Sequence, residues 1–200
     1  ANYDITASGV GSRIDLSHLT SMSGSDSYYG NRLAITASGG GEVDLAGAIS
    51  GYTVITLSDS SSVLNVAGVE SLADSYVALS NGGTANFSAL TKLTRVSLSA
   101  TAGGQILFPS AASYVDGVRG DYSITASDAD SRIDLSHLTS MSGSDSYYGN
   151  RLAITASGGG EVDLAGAIGG YTVISVDSTS TLGVAGITAL SSVSLTSDRP

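Results

Sequence analysis

The sequence predicts an all-β fold, a three-sided, right-handed parallel β-helix of about nine coils of about 20 residues, and three observations predict it. Ser12 to Ile55 recurs as Ser131 to Ile174 at an offset of 119, with one change, Ser50 to Gly169. Within each copy, short phrases such as Ile35-Thr36-Ala37-Ser38 alternate apolar and polar residues with the period of two that puts successive side chains on opposite sides of a strand. Gly runs (Gly39 to Gly41, Gly82-Gly83, Gly103-Gly104, Gly158 to Gly160) break the phrases at intervals too short for helices. The whole chain, 1–200, reads as one array with an internal duplication of 5–55 as 124–174.

Each unit opens with a strand whose apolar pair faces inward: Ile5/Ala7, Ile35/Ala37, Ile55/Leu57, Val77/Leu79, Val96/Leu98, Ile124/Ala126, Ile154/Ala156, Ile174/Val176 and Val193/Leu195. A second strand follows the Gly/Ser/Asp-rich gap, with pairs running from Ile14/Leu16 and Val43/Leu45 through Ala85/Phe87 and Ile106/Phe108 to Val162/Leu164 and Leu182/Val184. A third short segment adds one or two aliphatics: Leu19, Ile49, Val69 with Leu72, Leu90 with Leu93, Leu138, Ile168, and Ile187 with Leu190. No strand of three to five residues buries a face alone, so stacking must supply the core. A leucine-rich repeat is the rival reading, because Leu90-Thr91-Lys92-Leu93 and Val96-Ser97-Leu98 echo its rhythm, but two strand phrases per unit favour the β-helix. Ala1-Asn2-Tyr3 runs straight into a strand and Ser192 to Thr196 opens another, so the array is expected to be a segment of a longer repeat protein.

Composition narrows the function. A net charge of −10 repels nucleic acid and anionic membranes and offers no counterion release. No apolar run approaches the ~20 residues of a membrane-spanning helix. Cys is absent, which decides no compartment, while the acidic, Ser/Thr/Gly-rich, Lys-poor surface leans towards the outside of a cell.

Stacking turns outward positions into columns. Beside the first strand run Thr6, Thr36, Thr56, Ala78, Ser97, Thr125, Thr155, Ser175 and Ser194, with a Ser-rich column two places on. Such a ladder resembles an ice-binding face, and the plainer explanation is the strand preference of Thr. On the second strand, Asp15 and Asp44 should stand one rung apart, as should Asp134 and Asp163. Carboxylates ~5 Å apart need an intervening charge. Arg13 stacked on Glu42 and Arg132 on Glu161 would supply it, and a calcium ion between rungs is the alternative; no other cofactor is expected.

The lengthened unit Thr20 to Arg32, copied at Thr139 to Arg151, reads as a loop inserted at a corner. Loops on a rigid scaffold carry binding residues, and Tyr28, Tyr29, Asn31 and Arg32, with Tyr147, Tyr148, Asn150 and Arg151, are of the types that grip sugars. Tyr pairs that fold back to shield a flank, their hydroxyls left wet, are the plainer explanation. Catalysis is not expected: His18 and His137 occupy equivalent positions five units apart, ~24 Å by the rung spacing, and no Ser/His/Asp set is unique.

The phrases Ile35 to Leu45 and Ser12 to Met22 resemble repeats of very large secreted or surface-attached bacterial proteins of the adhesin-like, β-helical kind. That resemblance implies an extracellular or cell-surface structural role, with adjacent repeats, surface glycans or matrix proteins as partners. A carbohydrate-binding module built on the Tyr-Tyr loops is the second expectation, and an ice-binding face the third.

Overall fold

The chain is all β. The computed structural model describes residues 2–24, 31–117, 120–145 and 149–198, and among them there are nineteen strands and no helix, so none long and apolar enough to cross a membrane. Every strand pairing is parallel and all strands belong to one sheet, an arrangement consistent with a β-solenoid; a lone Ser144–Tyr171 bridge is antiparallel.

Three ladders account for the pairings. The first climbs through Tyr3–Ser8, Leu33–Ser38, Thr53–Leu57, the end of Val63–Leu79, the end of Lys92–Thr101, Tyr122–Ser127, Leu152–Ser157, Thr172–Val176 and Val193–Ser197. The second includes Arg13–Leu16, the start of Glu42–Ser50, Gln105–Leu107, Arg132–Leu135 and the starts of Glu161–Gly169 and Thr181–Leu190. The third stacks Met22 on Ile49, Ile49 on Leu72, Leu72 on Leu93, Leu93 on Tyr114, Tyr114 on Met141 and Met141 on Ile168. Buried residues of all three ladders form one continuous apolar cluster, in which Phe87 and Phe108 stack at 5.1 Å between centroids. The end rungs have a neighbour on one side only, so Leu195 is 57% exposed where Ile35, in the same column, is fully buried.

Three expectations are corrected. The first-strand register places Leu98, not Val96, on Val77, and Leu195, not Val193, on Ile174. Both shifts are of two residues, which keeps the inward side inward, and the outward column therefore continues as Ala78, Ser99, Thr125 and as Ser175, Thr196. In the third ladder, Leu19, Leu90 and Leu138 sit in the preceding corner, where their amides bond Leu16, Phe87 and Leu135 carbonyls, and Met22, Tyr114 and Met141 take the stacked places. Finally, Ser21–Ser23 and Ser140–Ser144, expected in a loop, are strands of the third ladder. Their alternating Ser-Met-Ser puts a flexible apolar side chain inside and hydroxyls outside.

Corners are made by residues at positive φ. Between the first and second ladders, Gly39-Gly40, Asn81-Gly82, Ala102-Gly103 and Gly158-Gly159 each supply two consecutive left-handed residues, and the following amide bonds the carbonyl three residues back, at 3.0 Å in Gly41 to Ser38. Between the second and third, Gly47 (φ 74°) lies so close to its neighbour that an added Cβ would stand 2.3 Å from the Thr20 carbonyl oxygen, which only glycine tolerates.

Candidate functional site

The corner from the third ladder to the first gathers most of the unusual chemistry. A single left-handed residue turns the chain there: Gly51, Asp74, Arg95, Gly117, Gly170 and Ser192, with φ between 50° and 90°. Glycine fits without strain, whereas Asp74 and especially Arg95 do not. Those two stand in neighbouring rungs and hold each other: Arg95 Nε donates to Asp74 Oδ1 at 2.5 Å and a terminal nitrogen to Oδ2 at 2.7 Å. That two-pronged bond fixes both side chains and raises the Arg95 pKa.

The lengthened units enter at this same corner. Tyr28, Tyr29, Tyr147 and Tyr148 lie outside the described residues. Asn31, Arg32, Asn150 and Arg151 lie within them: the Arg32 amide donates to Asn2 Oδ1 at 3.0 Å and the Arg151 amide to Asp121 Oδ1 at 2.9 Å, so both loop ends are tied down equivalently. Arg151 lines a cleft of about 720 Å³ with Ser144, Asp145 and Tyr171. A second cleft, about 410 Å³, is lined by Tyr52, Tyr76, Tyr122, Asp74, Asp121 and Ser97 among others. Sequence reasoning did not find it, because its residues come from four successive rungs and converge only through stacking.

On the second ladder the acids are where the sequence placed them. Asp15 stacks on Asp44 and Asp134 on Asp163, with Arg13 on Glu42 and Arg132 on Glu161. The intervening charge is the guanidinium. Arg13 lies 2.6 Å from Asp44, 3.2 Å from Glu42 and 3.4 Å from Asp15; Arg132 lies 2.6 Å from Asp163, 3.0 Å from Asp134 and 3.8 Å from Glu161. Hydrogen bonds from the Ser17 hydroxyl and amide hold Asp15 below the usual carboxylate range. Burial works to raise Asp134, but Ser136 and Arg132 outweigh it and its pKa falls; burial and the nearby Asp163 raise Glu161. Among the described residues no group of three or more His, Cys, Asp or Glu is arranged to hold a metal ion. The place between rungs where calcium would sit is taken by arginine.

Two further features lay beyond sequence reasoning. At the first-to-second corner, an Asp and a Ser three residues on latch the left-handed pair of the preceding rung. Asp59 accepts from the Gly39 amide at 2.8 Å and Ser62 from Gly40 at 3.0 Å. Asp177 and Ser180 repeat this on Gly158 and Gly159 at 2.6 and 3.0 Å, and Asp128 and Ser131 on Ala102 and Gly103 at 3.3 and 3.0 Å. Adjacent backbone N–H groups in left-handed turns make a concavity for an anion, which is why an acid fits. Bonds from Ser61, Gly39 and Ser62 hold Asp59 well below the carboxylate range, and Ser180, Gly158 and Thr179 do the same for Asp177. The recurring Asp-x-x-Ser spacing was the available signal.

The other feature is Asp116, in the strand Ser113–Gly117. Its carboxyl is wholly buried, and neither oxygen hydrogen-bonds a described residue. Burial, reinforced by Asp121 and opposed by Arg95, pushes its pKa up to about 7. Next to it Tyr114, also buried, donates its hydroxyl to the Val96 carbonyl at 2.8 Å. Comparison with protein-family models, curated proteins and solved structures finds no match to this chain.

Proposed function

We propose that the three ladders are the sides of a right-handed parallel β-helix, and that the array is a non-catalytic structural and adhesive stalk at a bacterial cell surface or outside the cell. Right-handedness follows from the rule for crossovers between parallel strands. The single observation that carries the reading is the in-register first ladder, which runs through nine rungs without a break. Rungs ~4.8 Å apart make a rod about 40 Å long. Its outward positions are mostly small hydroxyl, amide and acidic side chains, which suits a solvated shaft.

Catalysis fits poorly. Ser136 Oγ donates to Asp134 at 2.6 Å, so its proton is committed to the carboxylate and not to His137 Nδ1, 3.3 Å away. The test uses the duplication. Removing residues 5–123 joins Asp4 to Ile124 in the register that Ile5 had, and contacts in such an array are between neighbours. Small-angle scattering should show a folded rod shorter by five rungs, about 24 Å. A collapsed or unfolded deletion variant, or release of reducing ends from a polysaccharide panel, would overturn the proposal.

A further inference from the structure

We propose that the cleft lined by Tyr52, Tyr76 and Tyr122 is a binding site for a neutral oligosaccharide, an adhesive site on the stalk that is distinct from the Tyr-Tyr loops. The proposal rests on the adhesive reading and gives it a place. Tyr76 is the first ground. Its outward column runs Asp4, Ala34, Val54, Tyr76, Ser97 and, beyond, Ser123, Ala153, Val173, Ser194, so one aromatic ring stands on an otherwise low sheet surface. A ring in that setting offers a sugar its flat face while its hydroxyl stays available.

The second ground is unspent hydrogen bonding. The hydroxyls of Tyr52, Tyr76 and Tyr122 make no hydrogen bond to any described residue. Asp121 uses Oδ1 for the Arg151 amide and keeps Oδ2 as an acceptor for a sugar hydroxyl. Phenols, a carboxylate oxygen and serine hydroxyls around apolar rings are the mixture a pyranose needs, with C–H groups on one face and hydroxyls at its rim.

The third ground is rigidity. Asp74 and Arg95 hold a left-handed corner that neither favours, and backbone strain of this kind persists where the surroundings over-determine it, commonly at sites of function. Tyr122 packs against the apolar core, which holds its ring from one side, and Gly120 (φ 114°) leaves room beside it, since an added Cβ would lie 3.1 Å from Cε2. The Ser123 amide donates to Ser97 Oγ at 3.1 Å and orients that hydroxyl. A preorganised site of about 410 Å³ lies in the usual range for small ligands. Asp121, together with a net charge of −10, selects against uronic and sulfated sugars.

The experiment is a two-dimensional amide NMR titration of the 200-residue chain with cellotriose, with trigalacturonate in parallel. Cellotriose should shift the amides of Ser75, Ser97, Gly120 and Ser123 and bind at least about tenfold more tightly than trigalacturonate. Tyr76→Ala, at a partly buried outward position, should weaken cellotriose about tenfold or more while the variant still melts as a folded rod, at a modestly lower temperature. Asp121→Asn keeps the oxygen that caps the Arg151 amide, as Asn2 does for Arg32, and should relax the discrimination against trigalacturonate. No shifts with cellotriose, equal binding of the acidic sugar, or binding indifferent to Tyr76→Ala would overturn the site. A blank titration on an intact rod removes the cleft and spares the stalk, whereas failure of the 5–123 deletion to fold removes the stalk and spares the cleft.

Discussion

Asp116 gives the sharpest handle on stability, because its cost grows with pH across a known window. The groups facing it are Arg95, which favours the ionised form, and Asp121, Tyr114 and Tyr122, which do not. A folded-state pKa of about 7 against an ordinary 3.8 means that the folded chain holds a proton the unfolded chain has lost. The stabilising effect of that proton is complete below about pH 4 and is lost as pH rises to about 7. Each pH unit in the window costs up to about 1.4 kcal/mol, or about 4 kcal/mol in all. Asp116→Asn removes the titration, so its stability should be nearly flat from pH 5 to 8 and should exceed that of the wild type at the upper end. Two measurements check this: the 13C shift of the Asp116 carboxyl, which should titrate near neutrality, and urea denaturation of both proteins across the range. A carboxyl that titrates near the ordinary value, or identical pH slopes for the two proteins, would refute the assignment.

Other perturbations follow from the same packing. Asp59→Asn and Asp177→Asn should lower the melting temperature at pH 7 and flatten its acid side, since a depressed carboxylate stabilises above the ordinary range and loses that effect as pH falls through its folded value; melts from pH 2 to 7 would show no difference if the latches were inert. Gly47→Ala should destabilise by about 3 kcal/mol or more, because a methyl group cannot stand 2.3 Å from the Thr20 oxygen, while Gly9→Ala meets nothing within 4 Å and should cost about 1 kcal/mol through φ alone; equal melting temperatures for the pair would contradict the corner geometry. Phe108→Ala, which empties one side of the Phe87 stack, should cost about 3 to 5 kcal/mol by denaturation. Added calcium or a chelator should leave the wild-type melting temperature unchanged, because Arg13 and Arg132 stand between the acids; a rise with calcium would show a cation binding there after all.

What the sequence could and could not reveal follows from the period of a strand. Alternation makes inside and outside legible, so Ile35, Val43 and Ile154 are buried where the pattern put them and Asp15 stands over Asp44. A one-residue slip would reverse every side chain, but a two-residue slip preserves the alternation, and that is where the reading of Val96 and Val193 went astray. The corners held the missing information: Gly82-Gly83 and Gly103-Gly104 are 21 residues apart, the same spacing as Val77 and Leu98, and aligning turns instead of aliphatics recovers the register. Candidate sites were harder for a related reason. Duplication drew the eye to Tyr28, Tyr29, Tyr147 and Tyr148, yet copying marks what an array propagates. Tyr76, Arg95 and Asp116 fall between Ile55 and Ile124, in the part the duplication skips, and each departs from what its neighbours do: a ring on a low face, an arginine at a left-handed corner, a buried acid with no hydrogen bond to a described residue. In a repeat protein, individuality resides in such departures, and they become visible only when the rungs are correctly stacked.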